Sequence, residues 1–204
     1  MISRFTEYLV EEQKEIFFAF GRMNPPTIGH EKLIEKLSKT AGGSAYRIYL
    51  SQSTDPKSNP LPYKEKIKTA RRMFPRHARG IILNNKLKTM LEVAVSLYNE
   101  GHQRITMVAG SDRVIEFKTL LEKYNGKKLR HGFYNFRSIN VVSAGQRDPD
   151  SEGVAGMSAS KMRESAGDND FRTFTQGLPK SFSNKNSKDL FNAVRKGMNL
   201  KPVK

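Results

Sequence analysis

Thr27 and His30 stand three residues apart, where an apolar run gives way to a helical repeat. A hydroxyl and an imidazole so spaced can both face an anion at a helix start, because the first backbone N–H groups of a helix are unpaired and point toward it. Ser158, Ser160 and Arg163 repeat the theme near the other end of the chain. Two hydroxyls at a helix N-terminus with a guanidinium one turn on form a cradle for a triphosphate, although an ordinary capped helix presents the same residues. Between the two stretches lies Gly110-Ser111-Asp112. Its carboxylate is a good acceptor for a ribose hydroxyl, and equally a candidate N-cap for a helix beginning at Arg113.

Bringing these groups together takes a sheet. Ile16-Phe17-Phe18-Ala19-Phe20 is a continuous apolar run, the pattern of a strand covered on both faces. Pro25 and Pro26 end it, Gly21 permits an unusual turn, and Leu33, Ile34 and Leu37 then recur at helical spacing. Further strands are predicted at Tyr46–Ser51, Ile81–Leu83, Ile105–Ala109 and Ser138–Ser143. A helix over about Thr89 to Glu100 carries Leu91, Val95 and Tyr98 on one stripe and stops at Gly101. The alternation predicts an α/β fold, a Rossmann-like, doubly wound, five-stranded parallel sheet with the candidate loops at its carboxyl edge.

Three segments follow. Residues 1–14 read as a short docking helix with Ile2, Phe5 and Leu9 on one face, residues 15–179 as the α/β domain, and residues 180–204 as a basic, helical C-terminal tail. The tail carries seven cations against Asp189, and docking on the core, binding a partner and contacting nucleic acid all remain open for it. Residues 124–137 interleave aromatics with Lys127, Lys128, Arg130 and His131. That pattern suits a flap over an acceptor site, and also nucleic-acid binding.

The 204 residues contain no cysteine, which excludes disulfides and thiolate metal sites. No apolar run has the length of a membrane span and the first residues lack the make-up of a signal peptide, so no membrane role and a cytoplasmic location are expected. The net charge of +16 attracts polyanions, a description that covers both nucleoside triphosphates and nucleic acid. Asp148 and Asp150 flank a proline and read as a turn, so no metal ligand is assigned to the protein.

Gly-Arg-Met-Asn-Pro-Pro-Thr-Ile-Gly-His over residues 21–30 resembles the (H/T)xGH signature of the nucleotidyltransferase superfamily, which includes nicotinamide-nucleotide adenylyltransferases, pantetheine-phosphate adenylyltransferases and cytidylyltransferases. Gly110-Ser111-Asp112 is similar to the GxD motif of the nicotinamide-nucleotide enzymes, and Met157-Ser158-Ala159-Ser160-Lys161-Met162-Arg163 to the family's ISSTxIR motif. Lys57 matches a loop lysine that leads into an xxxRxxM helix, here resembled by residues 63–74. The tryptophan common in the helix after GxD is missing. The likeness covers roughly Glu15 to Pro179, and the whole chain looks most like nucleotidyltransferase-like proteins of tailed phages, which would place it in the host cytoplasm.

The resemblance implies transfer of a nucleoside monophosphate, with ATP favoured over CTP as donor, onto a small phosphorylated acceptor such as nicotinamide mononucleotide, releasing pyrophosphate. It implies Mg²⁺ bound through the nucleotide phosphates. It assigns catalysis to His30, Thr27, Lys57 and Arg163, and nucleotide binding to Gly21, Arg22, Asn24, Gly29, Gly110, Asp112, Ser158 and Ser160. A cytidylyltransferase, or a non-catalytic protein using the same fold and charge to hold nucleic acid or a virion partner, is the alternative. Oligomeric state stays open.

Overall fold

A computed structural model describes residues 14–145 and 157–203. The expected docking helix at the N-terminus, Asp148 and Asp150 lie outside the described residues. The first apolar run is strand β1, Glu15–Gly21, in the middle of a four-stranded parallel sheet with β2 (Tyr46–Leu50), β3 (Arg104–Ala109) and β4 (Ser138–Ser143), ordered β2-β1-β3-β4. The helices are α1 (Ile28–Ala41), α2 (Tyr63–Met73), α3 (Met90–Asn99), α4 (Val114–Tyr124), α5 (Ala159–Gly167), α6 (Phe171–Thr175) and α7 (Asn184–Gly197).

Strand side chains alternate between two cores, as the pleat requires. Ala19, Ile48, Leu50 and Val108 share one with Ile34 and Leu37 of α1 and Ile67, Ala70 and Met73 of α2. Ile16, Phe18, Tyr49, Ile105 and Met107 share the other with Val93, Ala94 and Leu97 of α3 and Leu121 of α4. Both faces of the sheet are thus covered, which is why its strands read as unbroken apolar runs.

The sheet has four strands among the described residues where five were expected. Ile81 makes only an isolated parallel bridge to Ile48. It leaves a 3-10 turn over Pro75–Gly80, and by Asn84 the backbone N–H donates to the Tyr63 hydroxyl at 3.0 Å, which draws the chain off the sheet edge. Leu83 is accordingly 47% exposed.

Helix α3 also differs from the expected stripe. Met90, Val93, Ala94 and Leu97 face the sheet, while Leu91, Val95 and Tyr98 are half-buried beneath the 124–137 segment. Phe133 and Phe136 pack edge-on against Tyr98 at 5.8 and 5.5 Å, and Tyr134 is fully buried with its hydroxyl donating to the Leu121 carbonyl at 2.8 Å. Tyr134 and Phe136 of this segment are therefore anchors in the core, while Phe133 stays exposed. Its tip, Arg130 and His131, leaves a cleft of about 350 Å³ against the first turn of α3.

The basic tail docks on the core. Leu190, Phe191 and Val194 of α7 are buried, with Phe191 edge-on to Phe171 and Phe174 at 5.3 and 5.1 Å. Arg195 donates to the carbonyls of Ala166 and Lys201, so one tail cation serves the fold. A Cβ at Gly197 would stand 2.6 Å from the Pro60 carbonyl carbon, so only glycine lets the end of α7 close on the loop that precedes α2.

Candidate functional site

The strand order places a topological switch point between β1 and β3: from β1 the chain moves outward to β2, then crosses back over β1 to β3. Connections leaving β1 and β3 diverge there, and the crevice at their carboxyl ends is where α/β sheets bind ligands. Gly21 and Gly110 both stand three residues beyond the paired Phe18 and Met107, so the loops 22–27 and 110–113 open at the same level. A Cβ at Gly21 would meet nothing within 4 Å, which leaves bare strand backbone facing open space.

Gly21 itself remains in the ladder opposite Leu50, and the left-handed turn falls on Met23, at φ 43°. The Met23 side chain is buried, so packing holds a backbone conformation that a side chain ordinarily avoids. Asn24, expected to bind nucleotide, is buried and clamps the next loop: its Nδ2 donates to the Leu61 carbonyl at 3.1 Å and its Oδ1 accepts the Leu61 N–H at 2.9 Å. Arg163 meets this turn from 139 residues away, Nη1 donating to the Asn24 carbonyl at 2.7 Å and Nη2 to Ser160 Oγ at 3.0 Å. The two outer motifs are therefore one structure. Burial, reinforced by nearby Arg22, lowers the Arg163 pKa, with Asp55 opposing, which places Arg22, Arg163 and the Asp55 loop in one electrostatic neighbourhood.

Thr27 is the N-cap of α1 and is fully buried. Its backbone N–H donates to His30 Nδ1 at 3.0 Å, and its Oγ1 lies 2.9 Å from the same nitrogen. Nδ1 is therefore an acceptor and the ring proton sits on Nε2. Thr27 fixes the tautomer and orientation of the half-buried His30. Gly29 completes the turn, where a Cβ would only touch Thr27 Oγ1 at 3.5 Å.

Lys57 is exposed on a loop knotted by Asp55. The Asp55 carboxylate accepts the Lys57 and Ser58 backbone N–H groups at 3.1 and 2.6 Å and Asn59 Nδ2 at 2.5 Å, and these bonds, Asn59 foremost, hold its pKa below the usual range. Ser158 caps α5 through Oγ, which accepts the Lys161 N–H at 3.1 Å. Because the oxygens of Ser158 and Ser160 act as acceptors here, their hydroxyl protons remain for another partner. Asp112 is exposed and caps no helix; its carboxylate lies back over Gly110, 2.8 Å from where a Cβ would stand.

Sequence reasoning missed Lys66. It lies in α2, is fully buried, and donates from Nζ to the Ser51 carbonyl at 2.5 Å, at the carboxyl end of β2. Ser51 Oγ and Asn59 Oδ1 are buried nearby along this connection without a hydrogen-bond partner among the described residues. The signal was present: Lys66 and Ile67, Ala70 and Met73 share the inward stripe of α2, so a lysine occupied a core position.

Desolvation lowers the Lys66 pKa to about 8 from 10.5. A cation whose folded pKa is depressed destabilises the fold fully below pH 8; stability then rises as pH climbs toward 10.5, because the unfolded chain still holds the proton. Lys66→Met should abolish that rise. Denaturant midpoints measured from about pH 7 to 10 check it, and parallel curves for the two proteins would refute it.

A scan against protein-family models matches none, and a search of the curated proteins finds no significant similarity. The fold and site define an α/β protein whose sheet edge gathers an oriented imidazole, a half-buried guanidinium and a buried ammonium.

Proposed function

We propose that the chain is a nucleotidyltransferase on a Rossmann-like, doubly wound sheet, moving a nucleoside monophosphate from ATP, or from CTP in the alternative, to a small phosphorylated acceptor such as nicotinamide mononucleotide. The observation that carries this reading is the Arg163–Asn24 hydrogen bond of 2.7 Å, which joins the TxGH turn to the Ser158–Arg163 helix start. Two motifs that separately suit phosphate binding meet at one crevice.

The reaction needs no protein nucleophile: the acceptor phosphate attacks the α-phosphorus of the donor and pyrophosphate departs with the bond electrons. Rate comes from alignment and from donors aimed where charge builds. His30 donates from Nε2 to an α-phosphate oxygen, and Thr27 acts as a positioning residue through Nδ1. Arg22, Lys57 and Arg163 offset the charge of the phosphates, and the hydroxyls of Ser158 and Ser160 donate to the β- and γ-phosphates at the start of α5. Asp112 accepts from a ribose hydroxyl.

The donors at this crevice are cations and N–H or O–H groups, while the Asp55 carboxylate is occupied by its own loop. Such a set suits phosphates that carry their own Mg²⁺, which neutralises charge on the leaving pyrophosphate. The test is incubation with Mg²⁺, ATP or CTP and nicotinamide mononucleotide, following pyrophosphate and dinucleotide. Dinucleotide from ATP is the expected product. Pyrophosphate from neither donor, with bound nucleotide undetectable by calorimetry, would overturn the reading.

A further inference from the structure

The surface cations are unevenly shared among the helices. On α4, Arg113 pairs with Glu116 at 3.2 Å and Lys118 with Glu122 at 3.9 Å. On α2 the exposed side carries Lys64, Lys68 and Arg72, and the 3-10 turn that follows exposes Arg76 and Arg79. Glu65, 3.9 Å from Lys68, is the acid of α2 itself. From α1, Glu31 lies near Arg76 and Glu35 near His77, at the far end of the row.

Lys64, Lys68 and Arg72 are four residues apart, one above another on the helix at steps of about 6 Å. Arg76 and Arg79, three apart in a 3-10 turn, share one edge. Like charges in such a row repel one another, and a row of anions at similar spacing relieves that repulsion. The row begins beside the crevice, since α2 starts directly after the Lys57 loop, and runs down the flank of the domain. Arg71 and Lys66 turn inward to the Ile81 and Ser51 carbonyls and do not belong to it. No aromatic side chain lies on the exposed side of α2, so the face offers phosphate contacts without a stacking platform.

We propose that the outer face of α2 and the following 3-10 turn is a track for the phosphodiester backbone of nucleic acid, read without regard to sequence. This inference is independent of the nucleotidyltransferase reading. The C-terminal tail is docked through its helix and uses Arg195 in the fold, while Lys185, Lys188 and Lys196 stay exposed on it.

The test is fluorescence anisotropy of the full chain with labelled single-stranded DNA, RNA of the same sequence and duplex DNA, each of about 20 units, across a salt series. Five phosphate contacts predict affinity falling about a hundredfold for the single strands and about five hundredfold for the duplex between about 50 and 200 mM salt. Combining Lys64→Ala, Lys68→Ala and Arg72→Ala should reduce that fall below about tenfold. A control on α4, Lys118→Ala with Lys123→Ala, should bind like the parent. Arg76→Ala with Arg79→Ala supplies a second, independent cut of the track, and thermal melts confirm that each variant folds. Tighter binding of either DNA or RNA supports the track and names its ligand. Equal losses in the α2 and α4 variants, absence of binding, or displacement by polyglutamate as effective as by DNA would overturn it.

Discussion

For the proposed nucleotidyl transfer, replacing His30 by alanine should lower turnover by about a hundredfold to a thousandfold while the melting temperature stays within a few degrees of the parent's. Loss of one preorganised donor to a developing oxyanion costs about that much, and His30 is half-buried at a helix start, where its removal opens no core cavity. Its readiness to donate rests on Thr27. With Nδ1 occupied as an acceptor of the Thr27 N–H, the ring proton is placed on Nε2 before substrate arrives. Thr27→Val keeps that backbone bond and removes only the hydroxyl 2.9 Å from Nδ1. Its turnover should fall less than that of His30→Ala, with a shifted pH profile as the ring loses one of two fixing contacts. The measurement is steady-state pyrophosphate release under saturating nucleotide and acceptor. Full turnover in His30→Ala would remove the imidazole from the mechanism.

Phe174→Ala should destabilise the protein by about 3–5 kcal/mol. Phe174 is fully buried in α6, and its ring stands edge-on to Phe191 of α7 at 5.1 Å. Phe171 closes on the same ring from the other position of α6 at 5.3 Å. Truncation leaves a cavity lined by residues of α5, α6 and α7 that cannot collapse independently, since Gly197 of α7 abuts Pro60. In a domain of this size the melting temperature should drop by roughly 6–20 °C. A loss under about 1 kcal/mol in urea unfolding would mean that the C-terminal helices contribute little to the core.

The same contact explains why the tail was hard to read. Its charges were plain in the sequence, and its apolar residues formed only a weak stripe. Burial of Leu190, Phe191 and Val194 depends on α5 and α6 lying alongside, which no local pattern encodes.

Local chemistry determined much of this protein before any coordinates. The continuous run Ile16–Phe20 required a strand buried on both faces, and Pro25 and Pro26 required its end. The helical stripe put a helix start at about Thr89, and there the structure has a capping box, Thr89 Oγ1 accepting the Glu92 N–H at 3.2 Å. The parallel sheet followed from alternation of strands and helices.

Tertiary structure alone decided the rest, because each remaining question turns on a partner distant in sequence. Ile81–Leu83 has the composition of a strand, yet Tyr63 captures Asn84 and turns the chain away after one bridge. Asn24 stands in the motif turn, and only the fold shows that Leu61 takes both ends of its amide. Lys66 stands on the apolar stripe of α2 in the sequence, but only the fold supplies the Ser51 carbonyl that its ammonium meets. Residue type and spacing proposed which groups handle phosphate. The 2.7 Å bond from Arg163 to the Asn24 carbonyl decided that two of those groups share one crevice, since only folding spans the 139 residues between them.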